Sequence, residues 1–311
     1  MKKAIAYSIF GANRAERYDN CFPFNSYIVG LMLSIRLNRL IYPKWTIVVE
    51  TDHSTYNMYK LLFDGLVDKN IIKMELNEDN APLCEAMLWR LKPIWHRDWD
   101  EENQGYQGWT YSHVICRDLD SLPTYRDAQC VQMWINNGRA AHAITDSVSH
   151  DVAMMGGMIG FAPRYFASAS VSVWHSFNEM ITRCNVNLTV KGSDQTLINE
   201  FILPFFAQKG SDSITQHYFK GRGNSYLQDY HTCLCWKESC RVGHKEGCPL
   251  DIPVDDITVD MKETDEVSEH LGASGWNQQQ TERLILKHRD KFNDLIEIEM
   301  NYPLVFDWIR K

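Results

Sequence analysis

Through its first half the chain alternates short apolar runs with stretches of helical periodicity. Lys3–Phe10 is a run that predicts a strand, with the Gly11-Ala12-Asn13-Arg14 loop behind it. Over Tyr27–Leu40, Ile28, Leu31, Met32, Ile35 and Leu40 recur at helical spacing, and Pro43 ends the helix. Trp45–Glu50 (WTIVVE) is a second buried strand, closed by Thr51-Asp52; Tyr56–Leu66 reads as a helix and Ile71–Leu76 as a third strand. Pro82 then opens a helix with Leu83, Met87, Leu91 and Ile94 on one face. Arg90 falls among them, so it either snorkels or faces something anionic. Trp99–Gly108 is polar and reads as a loop. The run Val114-Ile115-Cys116 predicts a strand, Tyr125–Asn136 a helix stopping at Asn137-Gly138, and Ala140–Thr145 a fifth strand. Apolar rather than alternating strands, separated by helices, argue for an α/β fold with a mostly parallel sheet covered on both faces.

The later chain is less regular. His150–Phe161 (HDVAMMGGMIGF) sets Gly156-Gly157 inside an apolar segment, either a tight turn or a close approach of backbone to a ligand. Gly192–Asn199 (GSDQTLIN) opens a helix with Ser193 as N-cap and Asp194 in the first turn. Asp251–Glu269 holds eight acids and one lysine and reads as a solvated connector. Gln279–Met300 reads as one amphipathic helix with Ile285, Phe292, Leu295 and Ile296 on a face that packs on the sheet.

Composition narrows the classes. A chain of 311 residues, 44% apolar and 12% aromatic, can bury a sizeable core. A net charge of −8 argues against a nucleic-acid or anionic-membrane partner. There is no apolar run of membrane-spanning length and no signal peptide, which predicts a soluble, cytoplasmic protein. The odd count of nine cysteines fits reduced thiols. Near the C-terminal third, Cys235, Cys240, His244 and Cys248 have the spacing of a zinc knuckle; structural Zn²⁺, disulfides and free thiols all remain open.

The chemistry concentrates at Tyr111–Leu122 (YSHVICRDLDSL). In extended chain Asp118 and Asp120 project to one side and Leu119 to the other. Adjacent carboxylates repel unless a cation lies between them, and oxygen-only ligands suit Mg²⁺ or Mn²⁺. Taken alone, D-x-D is equally the signature of a strand-end turn with two solvated aspartates.

The order of features is more specific. The N-terminal strand and loop, Met87-Leu88-Trp89-Arg90, Arg117-Asp118-Leu119-Asp120-Ser121, Gly156-Gly157, Asp194-Gln195 and a later histidine together resemble GT-A-type glycosyltransferases. The run Asp194-Gln195-Thr196-Leu197-Ile198-Asn199 is similar to the D-Q-x-x-L-N segment of family-8-like enzymes. The resemblance spans roughly residues 3–220. It implies a Rossmann-like GT-A catalytic domain over 1–230, with a Cys/His-rich segment at 231–250. A connector and C-terminal helical extension at 251–311 would pack on that domain.

It further implies metal-dependent transfer of a hexosyl or related group from a nucleoside diphosphate sugar to a glycan or other hydroxyl acceptor. A UDP-sugar ranks first as donor and a GDP-sugar second. Asp118, Asp120 and His217 would hold Mn²⁺ or Mg²⁺. The chain has no H-x-x-G-x-x-K-P-W block, so His231 competes with His217, which is preferred for its distance from the Asp194 helix. Phe10, Gly11, Asn13, Arg14 and Asp52 would hold base, ribose and phosphate, with Arg90, Arg117, Gly156 and Gly157 around the donor. Retention, preferred on the D-Q-x-x-L-N likeness, would place Asp194 or Gln195 beneath the anomeric carbon; inversion would need a base such as His150 or Asp151. Two other classes stay in view: a Mg²⁺ phosphohydrolase using the D-x-D pair, and a non-catalytic nucleotide- or zinc-binding module.

Overall fold

A computed structural model describes residues 1–12, 25–100, 104–145, 152–167, 174–207, 213–218, 231–233, 254–257, 261, 264 and 278–306. It is an α/β protein with a mostly parallel, mixed sheet. The strands are β1 (Lys2–Ile9), β2 (Thr46–Asp52), β3 (Ile72–Asn77), β4 (Arg97–Asp100), β5 (Gly105–Trp109), β6 (Tyr111–Arg117), β7 (Ala141–Thr145), β8 (Met158–Phe161), β9 (Ile214–Tyr218) and β10 (His231–Cys233). Eight of them form one sheet in the order β10-β9-β7-β8-β6-β1-β2-β3, and β4 and β5 form a separate hairpin. Residues Ala4–Tyr7 of β1 and Val114–Cys116 of β6 are fully buried one after another, as strands covered on both faces require.

By contacts the chain divides into two compact units, each drawn from three stretches. Unit 1 comprises Met1–Ala4, Pro82–Arg117 and Gln129–Asp255; unit 2 comprises Ile5–Ala81, Asp118–Ala128 and Asp256–Lys311.

In unit 2, β2 and β3 are parallel in the register Ile47↔Ile72 to Asp52↔Asn77. Helix α1 (Asn25–Ile41) extends the predicted helix slightly at both ends. The single helix expected over Tyr56–Leu66 is two, α2 (His53–Met58) and α3 (Lys60–Asp68), divided at Tyr59. Asp52 starts α2 by accepting from Thr55 N at 2.9 Å.

In unit 1, β8 runs antiparallel to both β6 and β7, while β7, β9 and β10 are parallel. The helix after Pro82 is α4 (Leu83–Leu88), tightening into a 3₁₀ stretch, Trp89–Trp95, that carries Arg90. The expected loop at Trp99–Gly108 is instead most of the β4–β5 hairpin, with the Arg97 guanidinium 4.3 Å over the Trp109 ring. Helix α5 (Tyr125–Asn137) ends before Gly138, whose φ of +64° lets the chain turn away. Two short helices, α6 (Arg164–Ala167) and α7 (Phe177–Cys184), precede α8 (Ser193–Leu197). Ser193 is the first residue of α8 rather than its cap, the cap position being Gly192 at φ +84°. The helix widens over Ile198–Ile202 before α9 (Leu203–Ala207). Pro204, lacking an N–H, cannot close an ordinary turn there.

The acidic stretch after residue 250 is not wholly solvated: Val254, Met261 and Thr264 are buried. Thr264 Oγ1 accepts from Tyr125 N at 2.7 Å. The predicted Gln279–Met300 helix is broken into α10 (Gln278–Lys287), a 3₁₀ turn at Arg289–Phe292 and α11 (Asn293–Glu299), followed by α12 (Pro303–Phe306). Among the described residues these helices pack on α1 and α3. Arg36 of α1 grips Glu299 through two bonds of 2.7 Å, Arg39 binds Asp294, and Gly65 of α3 leaves room for Ile298. Ile298 takes the core place expected for Ile296. Among the described residues no helix is long and apolar enough to cross a membrane.

Candidate functional site

Unit 2 carries the ends of β1 and β2 together with the D-x-D turn. Gly11 adopts φ +82°, a conformation open to glycine, and donates its N–H to Asp52 Oδ2 at 2.9 Å. Ala12 N donates to Thr55 Oγ1 at 3.1 Å. Asp52 is fully buried and spends one oxygen on this loop and the other on the start of α2. Any contact of Asp52 with base or ribose would therefore share oxygens already accepting backbone N–H groups. Phe10 is partly buried at the end of β1. Asn13 and Arg14 lie outside the described residues.

The strand β6 ends at Arg117, and Asp118 follows directly. Leu119 is buried at 4% exposure while Asp118 and Asp120 are partly exposed, so burial alternates as the sequence pattern requires even though a turn begins at Leu119. Among the described residues Asp118 and Asp120 belong to no group of three His, Cys, Asp or Glu ligand atoms. Two oxygen ligands with solvent access fit Mg²⁺ or Mn²⁺, ions that keep water and phosphate oxygens in their shell. They do not fit Zn²⁺ in a closed structural site.

The sequence reading missed a second acidic arrangement. Glu50 and Glu75 of unit 2 offer carboxylate oxygens that could hold a metal ion, with its identity open. Glu50 and Glu75 are register partners across β2 and β3, and Asn77 Nδ2 donates to Glu50 Oε2 at 2.9 Å. Each acid sits at or near the end of an apolar run; nothing in the sequence says that they face each other.

Unit 1 holds the remaining candidates. Arg117 is 1% exposed, and its Nη1 donates to the carbonyls of Cys116 (2.8 Å) and Ile159 (3.2 Å). Arg90 and Asp194 are buried, at 4% and 1% exposure. A Cβ at Gly156 would stand 2.6 Å from Arg90 Nη2 and 2.9 Å from Gln195 Nε2, so glycine there lets both groups close on the backbone. Gly156 N donates to Gln195 Oε1 at 3.2 Å, and Gln195 Nε2 donates to Asp194 Oδ2 at 3.2 Å. Gly157 is buried in the same bend. The structure thus gathers Arg90, Gly156, Asp194 and Gln195, which the sequence could propose only one by one.

His217, preferred as an imidazole ligand, is fully buried on β9, 6.0 Å from the His142 ring. Burial holds its pKa down at about 3, opposed by the nearby Cys130 backbone. A ring so enclosed presents no nitrogen to solvent. His231 opens β10, its side chain outside the description. His150 and Asp151 lie outside the described residues, as do Cys235, Cys240, His244 and Cys248 of the candidate zinc cluster.

Compared with known proteins, the chain matches no family model and no curated protein.

Proposed function

We propose that the protein is a metal-dependent glycosyltransferase of GT-A type that uses a nucleoside diphosphate sugar as donor and a hydroxyl group as acceptor. The observation that carries this reading is the turn after β6. Two partly exposed aspartates flank a buried leucine immediately after a buried apolar strand. The strand order supports it. The sheet is built outward from β1 through β2 to β3, and the chain then returns to β1's other side with β6. Open α/β sheets bind ligands outside the carboxyl ends of strands at such a reversal.

In this reading Asp118 and Asp120 would hold Mn²⁺ or Mg²⁺, which supplies charge neutralisation on a departing diphosphate. The Gly11–Ala12 backbone, fixed by Asp52 and Thr55, forms the wall along which the nucleotide lies. The acceptor hydroxyl attacks the anomeric carbon, the bond from that carbon to the diphosphate breaks, and the hydroxyl proton leaves to a base or to the diphosphate. A phosphohydrolase with D-x-D as nucleophile and acid would place that motif after its first strand; here it follows β6.

The test is hydrolysis and transfer with a panel of UDP- and GDP-sugars in Mn²⁺, beside a phosphate monoester. Turnover of one donor is expected, and Asp118→Ala or Asp120→Ala should each abolish it with the fold intact by circular dichroism. Monoester hydrolysis alone, or full activity in both alanine variants, would remove the proposal.

A further inference from the structure

The D-Q-x-x-L-N run contains two amides four residues apart, Gln195 on α8 and Asn199 on the wide turn that continues it. Both address one stretch of backbone in unit 1. Asn199 Oδ1 accepts from Met154 N at 3.0 Å, and its Nδ2 donates to Met154 O at 3.0 Å and to Gln195 O at 2.9 Å. One side chain thus satisfies both polar groups of a buried residue, as a neighbouring strand would. Two residues on, Gln195 Oε1 accepts from Gly156 N while its Nε2 donates to the Asp194 carboxylate. The Arg90 guanidinium closes on the same glycine. Both ends of the Gln195 amide are therefore committed within the protein.

We propose that Asn199 and Gln195 are positioning residues: a pair of amides that fixes the Asp194 carboxylate and the Met154–Gly156 backbone, on which the Arg90 guanidinium closes, without touching substrate. This departs from the expectation that Gln195 lies beneath the anomeric carbon. Its kinetic consequence rests on the transferase reading; its structural half does not.

The experiment measures amide hydrogen exchange at Met154 and Gly156 together with kcat and KM for donor hydrolysis in Mn²⁺. Asn199→Leu and Gln195→Leu remove every bond of each amide. In Gln195→Glu the acceptor for Gly156 N–H is retained, and Asn199→Asp keeps the one for Met154 N–H, giving folded variants should the leucine changes prevent folding. Exchange at Met154 in Asn199→Leu, and at Gly156 in Gln195→Leu, should rise about fivefold or more, the size of one lost hydrogen bond. The kcat should fall by about a hundredfold with KM for the donor near wild type, as for a displaced reacting group. Gln195→Glu should keep Gly156 exchange slow yet leave kcat low, because it retains the acceptor for Gly156 N–H and loses the donor that holds Asp194.

Unchanged exchange in the leucine variants overturns the proposal. So does faster exchange with unchanged kcat. If the wild type turns over no donor while exchange responds as described, the transferase reading fails and the amide pair stands on exchange alone.

Discussion

Gly160, in the middle of β8, lies under two rings. A Cβ there would stand 2.8 Å from His142 Cδ2, 2.9 Å from Ile115 Cγ2 and 3.1 Å from Trp134 Cζ3, all parts of packed side chains. Gly160→Ala should therefore cost about 1–3 kcal/mol by overpacking, read as a lower urea midpoint. Gly156 differs in kind: an added Cβ there would meet the polar ends of Arg90 and Gln195, and so disturb the amide held between Gly156 N and Asp194. The rings over Gly160 also set a pH dependence. His142 stacks on Trp134 at 5.0 Å and, like His217, is fully buried, with no ring nitrogen in a well-formed hydrogen bond among the described residues. Burial first, then the charges of Arg117, His217 and His113, hold the His142 pKa well below its ordinary 6.5. His217 is held at about 3. Below pH 6.5 the unfolded chain takes up protons that the folded rings refuse, so these histidines lower stability as pH falls from 6.5 towards 3. Well below 6.5 the slope is about 1.4 kcal/mol per pH unit for each buried ring. Urea unfolding at a series of pH values should show a shallower loss in His217→Phe than in the wild type. Parallel curves would exclude this origin.

Among the elements, the C-terminal helices are held to α1 and α3 within unit 2 by charge as well as by apolar contact. Arg36 and Glu299 are 1% and 0% exposed, with Phe292 5.7 Å beneath the guanidinium. Losing one partner strands the other charge in the core, so Arg36→Met should cost about 3–5 kcal/mol. The double variant Arg36→Met, Glu299→Met should recover much of that loss in urea unfolding, because both desolvated charges are then gone. Equal loss in the single and double variants would assign the effect to packing. The exposed pair Lys69–Glu297 should contribute little. The same elements show why a single helix was expected: the apolar spacing from Ile285 to Leu295 fits one face, but the chain breaks at His288 and re-enters the core at Phe292. The β4–β5 hairpin escaped notice for the opposite reason. Its polar residues lack an apolar alternation, and cross-strand contacts such as Arg97 on Trp109 are not local in sequence.

For the whole molecule, the sheet order with β1 between β2 and β6 motivates a ligand-linkage prediction. Mn²⁺ with UDP, at about a hundred times its dissociation constant, should raise stability by about 2.7 kcal/mol if it binds only the folded chain. Thermal unfolding of the wild type should shift upward on this addition, and that of Asp118→Asn, Asp120→Asn should not. An equal shift in both would move the metal to another group, with Glu50 and Glu75 the first to vary.

Sequence alone determined where β1, β2, β6, α1 and α5 lie, because a buried strand covered on both faces is an unbroken apolar run and the two helices carry their own periodicity and stops. The apolar Leu119 between two acids also marked which of the three would be buried, although the chain there is a turn and not the extended strand that the alternation assumes. Only the tertiary structure decided that β8 turns against its neighbours, that Glu50 meets Glu75, and that His142 and His217 are enclosed together. Asn199 likewise reaches the backbone of Met154, 45 residues away. Each of these pairs groups distant along the chain, and such pairings follow from how strands and helices pack, which no local pattern records.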